Sequence, residues 1–273
     1  MFEPSITISL LPNLPRAPFV LGPDLEPALA QAAEMGYGAV ELFAPDVEAI
    51  DVAQIQQGCQ RHGLRVSTLG TGGGWVTKQW SLLDPDPQIR AHARQYIREV
   101  IQRAAQCDAT AIIGSMQGRC GGRPRTECLD LLREQLNELA MVAAELGRPL
   151  FYEPLNRYET DVFNSIVETA DFLNEGLPAN LKILADLFHM NIEEQDLAEA
   201  IRRAGSRIGH VHFVDSNRQA PGLGHTDFAP IWTALHSIHY AGYLAIEALP
   251  LPDPATAAKT ALATFRRLQT SVQ

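Results

Sequence analysis

Residues Ile208 to Gly224 read IGHVHFVDSNRQAPGLG. Ile208, His210, His212 and Val214 alternate with Gly209, Val211 and Phe213, which is the period of a strand. The run ends in a polar loop, Asp215-Ser216-Asn217-Arg218, closed by Pro221, Gly222 and Gly224. A histidine near the end of a strand, followed by a loop carrying Asn and Arg, is how a barrel of alternating strands and helices presents chemistry at its C-terminal mouth.

Working outward, the same unit recurs in both directions. Downstream, a helix over about Ala229–His239 leads to a strand Tyr243–Glu247 and a last helix from Pro254 to about Leu268. Upstream lie the strands Pro149–Glu153 and Leu181–Asp186, with helices over about Ser165–Glu175 and Gln195–Ala204. The first half supplies strands at Ile6–Leu10, Ala39–Phe43, Leu64–Leu69 and Ala109–Ile113. Its helices run over about Asp24–Met35, Val47–His62, Gln88–Gln106 and Thr126–Leu146, with Gly36 and Gly63 as stops. Eight strands alternating with eight helices predict a parallel sheet, and the count predicts closure into a single (β/α)8 barrel, of the α/β class, as one domain over residues 1–273.

Composition narrows the function. Asp and Glu outnumber Lys and Arg by 32 to 22, a formal charge of −10, which disfavours nucleic acid or an anionic membrane as partner. No apolar run is long enough to span a bilayer. The start, MFEPSITISLLPNLP, has no basic segment ahead of an apolar one and is read as mature protein, so the expected location is the cytoplasm. Cys59, Cys107, Cys120 and Cys128 form no CxxC and are expected to be reduced thiols, with Cys120 and Cys128 the one pair whose bridging is considered.

Side chains alternate along each barrel strand. Phe151 and Glu153 share a face of the fifth strand, Leu184 and Asp186 of the sixth, His210 and His212 of the seventh, and Tyr243, Ala245 and Glu247 of the eighth. Glu153, Asp186, His212 and Glu247 therefore converge at one side of the mouth. Three carboxylates this close repel one another unless a cation cancels them. Three oxygen donors and one imidazole suit Mn2+, Mg2+ or Co2+, with Zn2+ also compatible. Taken singly, an Asp or Glu is a solvated loop residue; four at four successive strand ends are not. His210, one layer deeper, reads as a core histidine or a support for the ligands. His62, His92, His236 and His239 read as surface or packing residues, and His225 as a candidate for the pocket's edge.

On these residues the chain resembles a known group. The segments EPLNRYET (Glu153–Thr160), DLFHMNIEE (Asp186–Glu194) and His212–Arg218 with Pro221-Gly222-x-Gly224 are similar to the sugar isomerase/epimerase group of the xylose-isomerase-like TIM barrels, which includes the D-tagatose and D-psicose 3-epimerases. The likeness runs through the barrel and is specific in its second half. It implies that Glu153, Asp186, His212 and Glu247 bind one divalent metal, Mn2+ first or Co2+. It implies that Glu153 and Glu247 also move protons, and that Glu159, His189 and Arg218 contact a sugar or polyol. A metal on a substrate carbonyl and adjacent hydroxyl acidifies the α C–H. One carboxylate then removes that proton to give a metal-bound cis-enediolate, and a proton returned by the second gives the epimer; His189 and Arg218 would stabilise the oxyanion. The resemblance also leads to an expectation of a dimer or tetramer.

Elsewhere the sequence is less specific. Gly72-Gly73-Gly74-Trp75 is read as a pocket rim walled by Trp75 or Trp80, or as a backbone nest for an anion. Arg119, Arg123 and Arg125 are candidates to hold a phosphate or carboxylate, or to lie in a solvated loop. These loops leave the substrate open between free ketose, sugar phosphate, inosose and hydroxy-keto acid. Hydroxypyruvate isomerase-like and inosose dehydratase- or isomerase-like activities on this scaffold are the alternatives. An endonuclease IV-like reading needs metal-binding histidines where this chain has Thr68-Leu69-Gly70, Gly114-Ser115-Met116 and Asn217-Arg218-Gln219, and the acidic balance also opposes it. A non-catalytic sugar-binding barrel is opposed by the full set of acid–base groups.

Overall fold

A computed structural model describes residues 2–12 and 17–271. Of the N-terminal stretch read as mature protein, residues 1 and 13–15 lie outside the described residues. In order, the elements are β1 (Glu3–Ser9), α1 (Leu25–Met35), β2 (Ala39–Phe43), α2 (Val52–His62), β3 (Arg65–Gly70), α3 (Gly73–Lys78), α4 (Pro87–Gln106), β4 (Thr110–Ile113), α5 (Arg125–Glu145), β5 (Leu150–Tyr152), α6 (Ile166–Asn174), β6 (Leu181–Asp186), α7 (Leu187–Glu193), α8 (Leu197–Ala204), β7 (Ile208–His212), α9 (Phe228–Ser237), β8 (Tyr243–Ile246) and α10 (Pro254–Ser271). The strands pair in parallel in sequence order, and β8 closes on β1 through Glu3–Tyr243 to Ile6–Ile246. The fold is a (β/α)8 TIM barrel.

Local chemistry sets most boundaries. Gly36 and Gly63 take φ of 94° and 67°, a left-handed conformation open to glycine, and stop α1 and α2. Ser165 caps α6 by accepting from the Val167 and Glu168 N–H groups. The second helix begins at Val52 rather than Val47, because the Asp51 carboxylate accepts from the Gln54 N–H at 3.0 Å and forms the cap there. The short helix α3 occupies a stretch read as a loop, and α7 fills the stretch left unassigned between the sixth strand and the helix read from Gln195. All four cysteines are free and buried.

The outward face of the strands packs under the helices in one large apolar layer, to which Ile6, Ile8, Val40, Leu42, Val211 and Phe213 belong. The barrel interior is different on its two sides. Ile112, Phe151 and Leu184 form a dry plug under β4–β6, with the His210 ring stacked on Phe151 at 5.5 Å. Under β1–β3 the interior is polar: Ser5, Thr7, Ser9, Glu41, Ser67 and Thr68 are all buried.

Two register shifts adjust this interior. Between β2 and β3, Val40 faces Val66 but Glu41 faces Thr68, so Ser67 is an extra residue. Between β6 and β7, Ile183 faces Ile208 but Leu184 faces His210, so Gly209 is extra. The second shift alters the expected alternation: Ile208 packs in the outer layer and not beside His210. It also puts His212 directly opposite Asp186. Gly209 has to be a glycine, because a Cβ there would run into the Phe151 ring.

Candidate active site

Glu153 follows β5, Asp186 ends β6, His212 ends β7 and Glu247 follows β8. One ligand atom from each of the four lies within 4.8 Å of the others. The convergence expected from strand alternation is therefore present. Glu153, Asp186 and His212 are buried, and Glu247 is partly open. His212 Nδ1 is 3.0 Å from Asp186 Oδ2, 3.4 Å from Glu247 Oε2 and 3.7 Å from Glu153 Oε1.

Each group is held from behind. Asp186 does two things at once. Its Oδ1 accepts from the Phe188 N–H at 2.8 Å and the His189 N–H at 3.3 Å, capping α7, while its Oδ2 faces His212 and Arg218. The cap explains α7, and it places His189, three residues on, beside the cluster. The signal for it in the sequence was an Asp at a strand end, a good N-cap residue. Gln117 Nε2 donates to the Glu153 carbonyl at 2.9 Å, and its amide oxygen accepts from the buried Tyr152 hydroxyl at 2.5 Å.

His189 is buried, which pushes its pKa down and favours the neutral ring. Asn156 Nδ2 donates to its Nδ1 at 2.7 Å and to Glu159 Oε1 at 2.9 Å. An acceptor Nδ1 leaves the proton on Nε2, which faces Glu153 Oε1 at 3.7 Å. Glu159 itself is at the exposed rim, 3.9 Å from His189 Nδ1.

Arg218 reaches in from the loop after β7. Its guanidinium donates to Asp186 Oδ2 at 2.7 Å and to Glu247 Oε2, and lies 4.9 Å from the centre of the Phe188 ring. Its backbone is left-handed, φ 63°, a conformation uncommon for a residue with a side chain and one that recurs at functional sites. The loop is folded around Asp215, whose buried carboxylate accepts from the Ser216, Gly222 and Thr226 N–H groups. Asn217 points away, to the Leu223 carbonyl, and His225 is exposed outside the cavity's lining.

The electrostatics show a shortage of positive charge. Burial, with Glu247 and Asp186 adding to it, pushes Glu153 well above the usual carboxylate range, against the pull of His212 and Arg218. Burial would also raise Asp186, but Arg218, His189 and His212 hold it well below. Burial would lower His212, yet Glu41, Glu247 and Asp186 raise it well above an ordinary histidine. A divalent cation relieves such a cluster, and the donor set of three carboxylates and one imidazole fits one.

One residue of this neighbourhood escaped the sequence reading. Glu41, in the middle of β2, is buried behind His212 and contacts both His210 and His212. Inward alternation from Phe43 points it into the barrel but does not say which side chains it meets there. From the cluster, a small cavity runs toward β1–β4 along Thr7, Phe43, Gly70, Thr71, Gly72 and Ser115.

The rim expectations need correcting. Gly72 does border the cavity, as a rim residue, but the Gly74 and Trp75 N–H groups are taken by the Thr71 and Gly72 carbonyls, and Trp75 and Trp80 pack against the core and are not in the cavity's lining. Trp80 stacks on His92 instead. The three loop arginines are committed elsewhere. Arg119 donates to the Tyr158 and Glu159 carbonyls, Arg123 to the Leu83, Arg119 and Cys120 carbonyls, and Arg125 to Glu168 and the Asp161 carbonyl. Arg119 and Arg125 staple the loop after β4 to the segment carrying Glu159, and Arg123 ties it to Leu83.

A closed parallel barrel with an acid–base and metal-capable cluster at its C-terminal mouth has the makings of an enzyme site, and comparison with known proteins gives its class. The profile of the family described as "Xylose isomerase-like TIM barrel" matches residues 29–268, and the chain belongs to that family. It is 31% identical over 229 residues to the D-psicose 3-epimerase of Agrobacterium fabrum, covering 81% of this chain and 78% of that protein. It is 28% identical over 244 residues to the 3-dehydro-D-guloside 4-epimerase of Escherichia coli, covering 85% and 90%. Among solved structures, a D-allulose 3-epimerase from Methylomonas sp. in complex with D-allulose aligns with a TM-score of 0.80 at 26% identity, over 98% of each chain.

Proposed function

We propose that the protein is a divalent-metal-dependent ketose epimerase, with Glu153, Asp186, His212 and Glu247 as metal ligands and Mn2+ as the metal. The observation that carries this reading is the meeting of those four side chains at the ends of four consecutive strands, where Glu153, His212 and Glu247 line a cavity at the barrel mouth. The metal, when bound, supplies Lewis-acid polarisation of a substrate carbonyl. The protein's own groups do the rest. Glu153 and Glu247 come from strands separated by β6 and β7, so they approach the cavity from two sides. One carboxylate removes the proton α to the carbonyl, and the other returns one to the opposite face of the resulting enediolate. His189 Nε2–H and the Arg218 guanidinium face the developing oxyanion as donors. Glu159, held by Asn156, contacts a substrate hydroxyl at the rim. That the relatives reported above are epimerases favours epimerisation over aldose–ketose isomerisation. The reading also takes the chain to work in the cytoplasm on a small sugar, as an oligomer.

The test is hydrogen exchange. Mn2+-loaded protein is incubated in D2O with a panel of ketohexoses and ketopentoses, and C–H signals α to the carbonyl are followed by NMR after metal removal. Exchange with epimer formation is expected, and is expected to vanish in Glu153→Gln and in Glu247→Gln. Exchange that survives in both variants refutes the assignment of the two carboxylates.

A further inference from the structure

We propose that Glu41 is a positioning residue that selects which nitrogen of His212 faces the carboxylate cluster. The inference rests on the metal reading above and adds a residue to it. His212 has one ring nitrogen on each side of a divide. Nδ1 faces Asp186, Glu247 and Glu153, whereas Nε2 lies 3.2 Å from Glu41 Oε1 and 3.3 Å from Oε2. A carboxylate only accepts, so Nε2 must carry the proton, and a neutral His212 then offers a bare Nδ1 to a metal.

Glu41 cannot turn away from this task. Thr7 Oγ1 donates to Oε1 at 3.1 Å, Thr68 Oγ1 donates to Oε2, and His210 Nε2 lies 3.0 Å from Oε2. His210 is itself pinned by stacking on Phe151. Glu41, His210 and His212 also lie close enough to be considered a metal site of their own. The two threonine donors argue against that, because both carboxylate oxygens already accept hydrogen bonds.

The backbone points the same way. The extra residue Ser67 in β3 brings Thr68 opposite Glu41, and the Ser67 hydroxyl fastens the shift by donating to the Val40 carbonyl at 3.1 Å. The extra residue Gly209 in β7 brings His210 and His212 into phase with the cluster. Two bulges on opposite sides of the barrel thus aim donors at one buried carboxylate, the kind of re-aiming that bulges perform beside active sites.

The experiment uses metal-stripped full-length wild type and Glu41→Gln. Mn2+ affinity is measured by calorimetry, and the 15N signals of His212 are recorded in Mg2+-loaded protein, assigned with a His212→Gln variant. In wild type, Nε2 is expected to carry a slowly exchanging proton and Nδ1 none. In Glu41→Gln, the Mn2+ Kd is expected to weaken by about 10- to 100-fold, with faster exchange at Nε2. A purely structural role would lower the unfolding midpoint and leave the His212 signals unchanged. A proton on His212 Nδ1 in wild type overturns the proposal without recourse to any variant, as does a Glu41→Gln Kd within about twofold of wild type. Wild type that takes up no Mn2+ would overturn the metal reading as well.

Discussion

Replacing Asp215 by Asn tests how the Arg218 loop is built. The carboxylate is fully buried and takes three backbone N–H donors: Ser216 at 2.8 Å and Thr226 at 3.0 Å on Oδ1, and Gly222 at 2.8 Å on Oδ2. Asn keeps the size but has one oxygen. Its better orientation leaves that oxygen on the Ser216 and Thr226 side and turns the NH2 against the Gly222 N–H. Gly222 cannot simply retreat, since it sits at φ 99° against the Thr264 side chain. The Gly222 N–H loses its acceptor, but Gly222 is exposed and water can take that place; the remaining bonds lose charge assistance, so a total loss of roughly 1–2 kcal/mol is expected. Urea unfolding of both proteins at neutral pH measures it. The pH dependence has a definite sign. The backbone donors around Asp215 hold its pKa below the usual value although burial opposes them. A carboxylate depressed in the folded state contributes stability above its unfolded pKa and loses it as pH falls through the folded value. The gap between wild type and variant should therefore be full at neutral pH and close below about pH 4. A variant as stable as wild type at pH 7, or a gap that widens in acid, would refute this account of the loop.

Asn156→Leu should leave Mn2+ affinity intact but lower kcat by roughly 10-fold, because His189 Nδ1 loses its side-chain donor and keeps only the longer bond from the Asn156 backbone N–H at 3.3 Å, so the Nε2–H is held less firmly; steady-state kinetics beside calorimetry separates the two. Gly209→Ala should destabilise by about 1–3 kcal/mol by pressing a methyl into Phe151, read as a lower urea midpoint. Removing metal with a chelator should lower Tm by roughly 5–10 °C relative to protein held at about a hundredfold excess of free Mn2+ over its Kd, by scanning calorimetry. An unchanged Tm would count against the cluster as a tight metal site.

The second half of the chain was legible because its chemistry falls at strand ends. Strand alternation was enough to bring Glu153, Asp186, His212 and Glu247 to one mouth, and the Asp-x-x-His spacing survives as an N-cap with His189 in the first turn of α7. What did not read through is the helix itself, since seven residues between a strand and a loop leave little periodic signal. The arginine loop misled for a different reason. Arg119, Arg123 and Arg125 look like an anion site when only charge is visible, but main-chain carbonyls on neighbouring loops claim them, and a carbonyl's position is not written in any side chain.

The bulges explain why Glu41 stayed hidden. A strict two-residue alternation predicts each strand's faces independently and says nothing about phase between strands. The extra residues Ser67 and Gly209 reset that phase twice, once between β2 and β3 and once between β6 and β7. Only with both shifts in place do Thr68 and His210 fall beside the same carboxylate, with His212 opposite Asp186. Local pattern therefore suffices for ligands that each strand presents at its own end. It fails for the residue behind them, because Glu41 depends on the registers of four strands at once. Deleting Gly209 would leave every proposed ligand in the sequence and still put His212 out of line with Asp186, while deleting Ser67 would take the Thr68 donor away from Glu41.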